Sequence, residues 1–332
     1  MTHESHLSLS DYDIAAAQRA VTQIAIPTPV VRSAPLTKSL GRTVVLKLEN
    51  LQVTGSFKVR GAANRLLHLT EAERRTGIVT CSSGNHGRAV SYVAELLGIP
   101  ATVCVPKWVD PVKLAAIRQH GAEAVLHGMT YDDAEQRSLE IAWERNVNYI
   151  HPFDDPRIIA GQGTIGRELL EQFPPIDCVV VPLSGGGLIA GIAIALKSHN
   201  PEIAVIGVSA LNASVMVQSL RAGKPITVPE QETIANALAG GIDLNNKHTF
   251  RLVRDLVDEH ILVSEDEIRS AMVFAAEEHK LVVEGGGAVG IAALLGRHCS
   301  QLGENVALVI SGGNVGLDTL VRLRTSTQNA TP

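Results

Sequence analysis

The feature of this sequence that most constrains its fold is the alternation of short apolar runs with longer helical segments. Seven runs have the length of strands: TVVLKLE (43–49), GIVTCSS (77–83), ATVCVP (101–106), EAVLH (123–127), CVVVPL (178–183), IAVIGVS (203–209) and VALVIS (306–311). Segments 87–98, 111–121 and 188–201 lie between such runs, with Gly or Pro turns at their ends, as crossover helices do. This alternation is typical of parallel α/β architecture.

The composition of the runs indicates how the sheets are covered. CVVVPL is apolar at consecutive positions, which is typical of strands covered by helices on both faces. Hydrophobic residues make up 45% of the 332 residues, enough for a large core. We therefore predict an α/β protein with doubly wound, mainly parallel sheets.

Three polar, Gly-rich turns follow predicted strands. They are CSSGNHG (81–87), LSGGGL (183–188) and ISGGNVG (310–316). Ligands of open α/β sheets bind in the crevice outside the carboxyl ends of the strands. We expect the three turns to converge on one such crevice.

Lys58 is the candidate nucleophile. Gly55-Ser56 forms a plausible helix start with Ser56 as N-cap, which places Lys58 in the first turn. The positive helix end and the apolar neighbours Phe57 and Val59 favour the neutral amine that a Schiff base requires. The alternative is a surface lysine on an amphipathic helix.

Residues 184–188 are a candidate phosphate cradle, because backbone amides and a helix N-terminus meet there. The same stretch satisfies GxGxxA through Gly185, Gly187 and Ala190, so a dinucleotide site is an alternative. That site needs an acidic residue after the next strand, where the sequence has Ser209 and Ala210.

The CSSGNHG turn offers hydroxyl, amide and backbone donors that suit a carboxylate. Its alternative role is a helix N-cap without a ligand. His86 belongs to this turn, and we expect it to orient a substrate.

Charge and targeting features exclude several classes of protein. The net charge is −5 and the 29 basic residues are dispersed, so no footprint for nucleic acid or an anionic membrane is present. The polar N-terminus and the lack of a long apolar stretch predict a soluble, cytoplasmic protein. The four cysteines form no CxxC pair and the 12 histidines form no HExxH motif, so we expect no metal. Since the charges show no footprint for a macromolecule, we expect a small-molecule partner.

Four motifs carry a resemblance to a known family. SFKVRGA, SSGNHG, SGGGL and SGGNVG, in this order over nearly the whole chain, resemble the fold-type II pyridoxal-phosphate family of serine/threonine dehydratases and serine racemases. The resemblance implies a tryptophan synthase β-like fold with a large domain (1–50 and 151–325), a small α/β domain (51–150) and a homodimer. The implied cofactor is pyridoxal 5'-phosphate.

The resemblance also implies roles for individual residues. Lys58 forms the Schiff base and Ser83 lies on the opposite face of the ring, so both are expected to be catalytic. The expected cofactor site is Phe57, Lys58, Asn85, Ser184, Gly185, Gly186, Gly187, Leu188, Glu284, Ser311 and Gly312. The expected substrate site is Ser82, Ser83, Gly84, Asn85 and His86.

The implied reaction is the elimination of water and then ammonia from a small hydroxy-amino acid of the L-threonine or L-serine type, which gives a 2-oxo acid. The hydroxyl of Ser311 opposite the pyridine nitrogen favours elimination over transamination, because a neutral partner does not hold that nitrogen protonated. Departures from the family pattern refine this expectation. Ser209 and Val215 stand where many members have acidic cation ligands, which argues against a metal.

Three alternatives remain. Ala134 and Phe153 replace residues of the racemases, which makes a serine or hydroxyaspartate racemase/dehydratase the weaker choice. Ala237 and Gly285-Gly286 resemble the hydroxyectoine-utilisation dehydratase branch, which acts on a hydroxyectoine-derived amino acid. A protein that binds pyridoxal phosphate without turnover is the third.

Overall fold

The computed structural model describes residues 12–82, 84–107, 109 and 111–328. Within these ranges the strands are β1 (Val30–Arg32), β2 (Thr43–Leu48), β3 (Ile78–Cys81), β4 (Ala101–Val105), β5 (Glu123–Leu126), β6 (Asn148–Tyr149), β7 (Cys178–Pro182), β8 (Ala204–Ala210), β9 (Glu259–Val263) and β10 (Asn305–Ile310). The α-helices are α1 (Ile14–Val21), α2 (Ala34–Leu40), α3 (Lys58–Leu67), α4 (Glu71–Thr76), α5 (Asn85–Leu97), α6 (Pro111–Arg118), α7 (Tyr131–Glu144), α8 (Pro156–Gln172), α9 (Gly187–His199), α10 (Val215–Ala222), α11 (Thr249–Leu256), α12 (Glu265–His279), α13 (Gly285–Leu295) and α14 (Leu317–Gln328).

The strands form two sheets. The larger has the order β1-β2-β10-β7-β8-β9 and is parallel except for β1, which is antiparallel to β2. The smaller has the order β5-β4-β3-β6 and is parallel throughout. The predicted α/β class with two mainly parallel sheets is confirmed, and all seven predicted runs contain a strand.

The two sheets use different parts of the chain. The four-stranded sheet is built from strands between residues 78 and 149, and the six-stranded sheet from strands before and after them. The domain limits at residues 1–50, 51–150 and 151–325 stay a prediction. No helix in the described ranges combines the length and apolarity that crossing a bilayer requires.

Strand β7 shows why its sequence is apolar at consecutive positions. Cys178 and Val180 pack into one core with helices α12 and α13. Val179 and Val181 pack into another core with α8 and α9 on the opposite face. The burial of each valine side chain stabilises the folded state by roughly 1.5–3 kcal/mol. The double cover makes the strand a rigid support for the turn that follows it.

Helix α3 begins at Lys58, but its N-cap differs from the prediction. Ser56 is not the N-cap: that position is Phe57, which caps no amide with its side chain. Ser56 instead forms an isolated antiparallel bridge with Gly312, and the Phe57 amide donates to the Ser311 carbonyl at 3.0 Å. This pairing with the end of β10 sets the direction of the first turn of α3.

A buried cluster of charged side chains anchors α3 to the large sheet. The Arg60 guanidinium donates to both Glu49 oxygens at 2.8 Å and to the two Glu168 oxygens at 2.6 and 2.9 Å. Lys47 donates to Glu168 at 2.5 Å. All four side chains are buried, so each charge depends on its partners instead of on water.

Candidate active site

One cavity lies at the carboxyl ends of β3, β7 and β10, where the three Gly-rich turns meet. The lining includes these predicted site residues: Phe57, Lys58, Ser82, Gly84, Asn85, His86, Ser184, Gly185, Gly186, Gly187, Leu188, Glu284 and Ser311. Ser83 lies outside the described residues. Gly312 lies behind Glu284, where an added Cβ would come within 2.3 Å of the carboxylate Oε1. The binding roles of these residues stay predictions.

Lys58 projects its amine into the cavity from the first turn of α3. Its Nζ donates to the Pro152 carbonyl at 2.9 Å and lies 5.3 Å from the centre of the Phe57 ring. Burial lowers the pKa of Lys58 from its ordinary 10.5 to about 8. An amine with this pKa is neutral often enough near neutral pH to act as nucleophile or base.

Asn85 and Glu284 form a hydrogen bond on another wall of the cavity. The Asn85 Nδ2 donates to Glu284 Oε1 at 2.6 Å, and burial raises the pKa of Glu284 to about 7. Asn314 Nδ2 donates to Asn85 Oδ1 at 2.7 Å, and Arg88 Nη1 donates to Asn314 Oδ1 at 2.7 Å. This chain of bonds fixes which way the Asn85 amide faces.

His86 and Gln162 bring unpartnered polar atoms to the cavity. Both side chains are buried, and neither His86 ring nitrogen nor Gln162 Oε1 has a hydrogen-bond partner. Burial, and to a smaller extent the nearby Lys58, hold the pKa of His86 well below its usual value. The backbone of Ile150 lies near enough to raise this pKa slightly, but it does not form a hydrogen bond with the ring. His86 is therefore neutral, and such orphaned atoms are typical of a ligand site.

The start of α9 is the glycine-rich turn that the sequence predicts as a phosphate cradle. Gly186 is the N-cap and has a φ of +89°, which favours glycine. A Cβ at Gly185 would come within 2.5 Å of the Phe153 ring, and one at Gly187 within 2.9 Å of the Phe153 carbonyl. Ser184 Oγ donates to the Leu238 carbonyl at 2.9 Å. The first amides of α9 have no partner within the helix and suit a phosphate.

These residues fit pyridoxal phosphate. A weakly basic amine, an aromatic neighbour and a helix start with free amides line one cavity, together with the Ser311 hydroxyl. The dinucleotide alternative is weaker, because Ser209 at the end of β8 is buried and donates to the Leu183 carbonyl at 2.6 Å. In the described part of the chain, no group of three or more acidic, His or Cys side chains is arranged to hold a metal ion.

Several lining residues were not predicted from the sequence. They are Cys81, Lys113, Tyr131, Pro152, Phe153, Ile158, Gln162, Pro182 and Asn236–Gly241. Most come from helices and loops without a Gly-rich signature. The sequence offers only weak signals for them: Lys113 is a basic residue in the helix that follows β4, and Phe153 and Ala237 are departures from the family pattern.

Comparisons with known proteins show which enzymes the chain is similar to. The family described as "Pyridoxal-phosphate dependent enzyme" matches residues 21–312. An L-threonine ammonia-lyase of Thermotoga maritima is 43% identical over 311 residues, covering 94% of this chain and 77% of the relative. The catabolic L-threonine dehydratase of Escherichia coli is 42% identical over 97% of this chain and 98% of the relative. The structure of maize serine racemase matches with a TM-score of 0.89 and 35% identity, covering 97% of this chain and 98% of that one.

Proposed function

The chain belongs to the family of pyridoxal-phosphate dependent enzymes, and on this basis we propose that it is an ammonia-lyase for a small hydroxy-amino acid. The substrate is of the L-threonine or L-serine type, water and then ammonia leave, and a 2-oxo acid is the product. The names of the relatives from Thermotoga maritima and Escherichia coli support this reaction. The observation that carries the proposal is the buried Lys58 amine, with its lowered pKa, beside an anion-binding helix start.

Pyridoxal phosphate, when bound, supplies the electron-withdrawing ring that weakens the bonds at the substrate α-carbon. The contribution of Lys58 is a proton acceptor in a desolvated position. Because burial lowers the pKa of Lys58 to about 8, part of its amine is neutral near neutral pH. This neutral fraction can accept a proton from the substrate. Its bond to the Pro152 carbonyl restricts where Nζ lies while the site is open.

The other polar residues orient groups and hold protons. The neutral ring of His86 offers one donor and one acceptor, which suit a substrate polar group. Glu284, with a pKa of about 7, holds a proton for part of the time at neutral pH and keeps Asn85 in place. The turn 184–188 and the amides of α9 would hold the phosphate group of the cofactor.

The test is the formation of 2-oxo acid and ammonia by the purified holoenzyme with L-threonine and L-serine. We expect equal amounts of both products from wild type, and a loss of at least about 10³-fold in Lys58→Ala, which lacks both nucleophile and base. Absorbance between about 300 and 500 nm follows the bound cofactor in both proteins. A Lys58→Ala enzyme that keeps wild-type turnover would contradict the role of this lysine.

A hydroxyectoine-derived amino acid is the second candidate substrate. A Cβ at Gly285 would come within 2.3 Å of the Ile234 carbonyl, and one at Gly286 within 3.1 Å of Ala237 Cβ. The paired glycines therefore permit close approach of residues 234–238, which line the cavity from Asn236 onward. This altered wall supports a substrate other than threonine, and comparing kcat/KM for the substrates decides between them.

Racemisation of serine is a second activity to test, because the chain is similar in structure to maize serine racemase. Chiral chromatography of the residual serine during turnover measures it directly. Retention of pure L-serine would restrict the enzyme to elimination.

We also propose a cytoplasmic homodimer. The family resemblance supports the dimer. Light scattering on the purified protein measures the mass of the assembly. A single species at the mass of one 35.3 kDa chain would contradict the dimer.

A further inference from the structure

Lys113 lies at the mouth of the cavity, between the two parts of the chain that form it. It belongs to α6, beside the four-stranded sheet, whereas Asn236 begins a short 3-10 helix between β8 and β9 of the other sheet. The Lys113 Nζ donates to Asn236 Oδ1 at 3.3 Å, and both residues line the cavity. The two sides of the mouth thus meet through this contact.

The Lys113 ammonium also lies close to the turn that follows β3. An added Cβ at Gly84 would lie 3.8 Å from Lys113 Nζ, with no other atom of the described residues within 4 Å. Burial raises the pKa of Glu284, and the hydrogen bond from Asn85 and then the charge of Lys113 partly offset that rise. Lys113 therefore faces the expected substrate turn across open space.

The charges of the cavity make this position significant. Among the described residues of the lining, Lys58 and Lys113 are the lysines, and no arginine is present. His86 is neutral, and the turn containing Ser82 and Gly84 offers uncharged donors. Because Lys58 is required for the reaction, Lys113 is the cation left to balance a substrate anion.

We propose that Lys113 binds the α-carboxylate of the substrate beside Gly84, which makes it a specificity-determining residue. The inference rests on the proposed function and deepens it. An ammonium has three donors, so Lys113 can keep its bond to Asn236 and still donate to a carboxylate. Asn236 then acts as a positioning residue that holds the amine at the mouth.

The experiment compares holoenzyme variants on a charged and an uncharged substrate. Lys113→Met keeps the length of the side chain and removes its charge, whereas Lys113→Arg keeps the charge. Lys224→Met is the matched control, because Lys224 is exposed and does not line the cavity. Each protein is assayed with L-serine and with L-serinamide, and calorimetry measures the binding of L-alanine, which has no leaving group.

For Lys113→Met we expect KM for L-serine and Kd for L-alanine to rise roughly 10- to 100-fold, with a smaller change in kcat. The preference for L-serine over L-serinamide should fall by the same factor, a readout that a general structural defect would not move. Lys113→Arg should recover most of the preference, and Asn236→Ala should lose part of it. Lys224→Met should match wild type.

Two outcomes would overturn the inference. In the first, Lys113→Met retains the wild-type KM and the wild-type preference for the carboxylate. In the second, the wild-type holoenzyme does not bind L-alanine. If wild type binds L-alanine without turning over any hydroxy-amino acid, and Lys113→Met abolishes that binding, the role of Lys113 is supported while the proposed reaction fails.

Discussion

At the residue scale, the chemistry depends on one lysine whose charge is destabilised by burial. The pKa of Lys58 is lowered from 10.5 to about 8 because the ammonium loses water and gains a carbonyl and an aromatic ring instead of a carboxylate. No acidic side chain of the described residues forms an ion pair with it. Because the charged form is destabilised, a larger fraction of Lys58 is neutral and reactive.

A pH dependence follows from this pKa. As the pH rises toward about 8, the neutral fraction of Lys58 increases and then levels off. We expect the rate at which the apoenzyme takes up pyridoxal phosphate to increase about tenfold per pH unit below that value, as the neutral fraction does. Stopped-flow absorbance measures this rate, and Lys58→Ala corrects for uptake that does not involve the lysine. A midpoint near 10.5 would contradict the lowered pKa.

Gly185 gives a second prediction at this scale. Gly185→Ala would force its Cβ to within 2.5 Å of the Phe153 ring and displace the turn that starts α9. We expect the binding of pyridoxal phosphate to weaken by about 1–3 kcal/mol, the usual cost of overpacking. Fluorescence titration measures the Kd. Gly316→Ala is the control, since an added Cβ there meets its nearest atom only at 4.0 Å.

The same contact provides a rescue. Phe153→Leu in the Gly185→Ala background removes part of the ring and should recover some of the affinity. If Gly185→Ala binds the cofactor as tightly as wild type, the turn is not held by Phe153.

At the element scale, α3 is the helix that must not move, and buried charges hold it. Replacing Arg60 with Met removes the ion-pair partner of Glu49 and one of the two ion-pair partners of Glu168. We expect Arg60→Met to lower the free energy of unfolding by about 3–5 kcal/mol, measured by urea titration. Arg75→Met removes an exposed ion pair with Glu71 and should change it by only about 0–1 kcal/mol. Similar values for both variants would show that the cluster does not anchor the helix.

The sequence predicted every central strand of the two sheets and the edge strand β5, and it missed the other three edge strands. Strand β9 (Glu259–Val263) was missed because it forms an edge of the large sheet and begins with half-buried polar residues. Strands β1 and β6 have three and two residues, too few for a pattern. Local preference favours Ser56 as an N-cap, but its long-range pairing with Gly312 determines the conformation of Ser56.

The candidate site divides in the same way. The Gly-rich turns and Lys58 were predictable because each follows a strand and has a local signature. Lys113, Tyr131 and Asn236 reach the cavity only through the arrangement of the two sheets, which no local pattern encodes. This is why the substrate is harder to infer than the cofactor.

At the scale of the whole molecule, the cavity draws its residues from two different sheets. Asn85 and His86 belong to a helix that follows β3 of the four-stranded sheet, whereas Ser184 and Ser311 follow strands of the six-stranded sheet. A ligand that contacts all four residues links the two parts. Cofactor binding is therefore expected to make their unfolding more cooperative.

Calorimetry of the apoenzyme and the holoenzyme tests this linkage. With free pyridoxal phosphate at about 100 times its Kd, binding should stabilise the folded state by about 2.7 kcal/mol and raise Tm. Because both sheets contribute residues to the cavity, the holoenzyme should unfold in one transition, and the apoenzyme in a broader transition or in two. Lys58→Ala keeps the anion site at α9 and should show the same effect at a higher cofactor concentration. If the cofactor raises the stability of one transition and leaves a second unchanged, it binds one sheet alone, and the cavity does not couple the two.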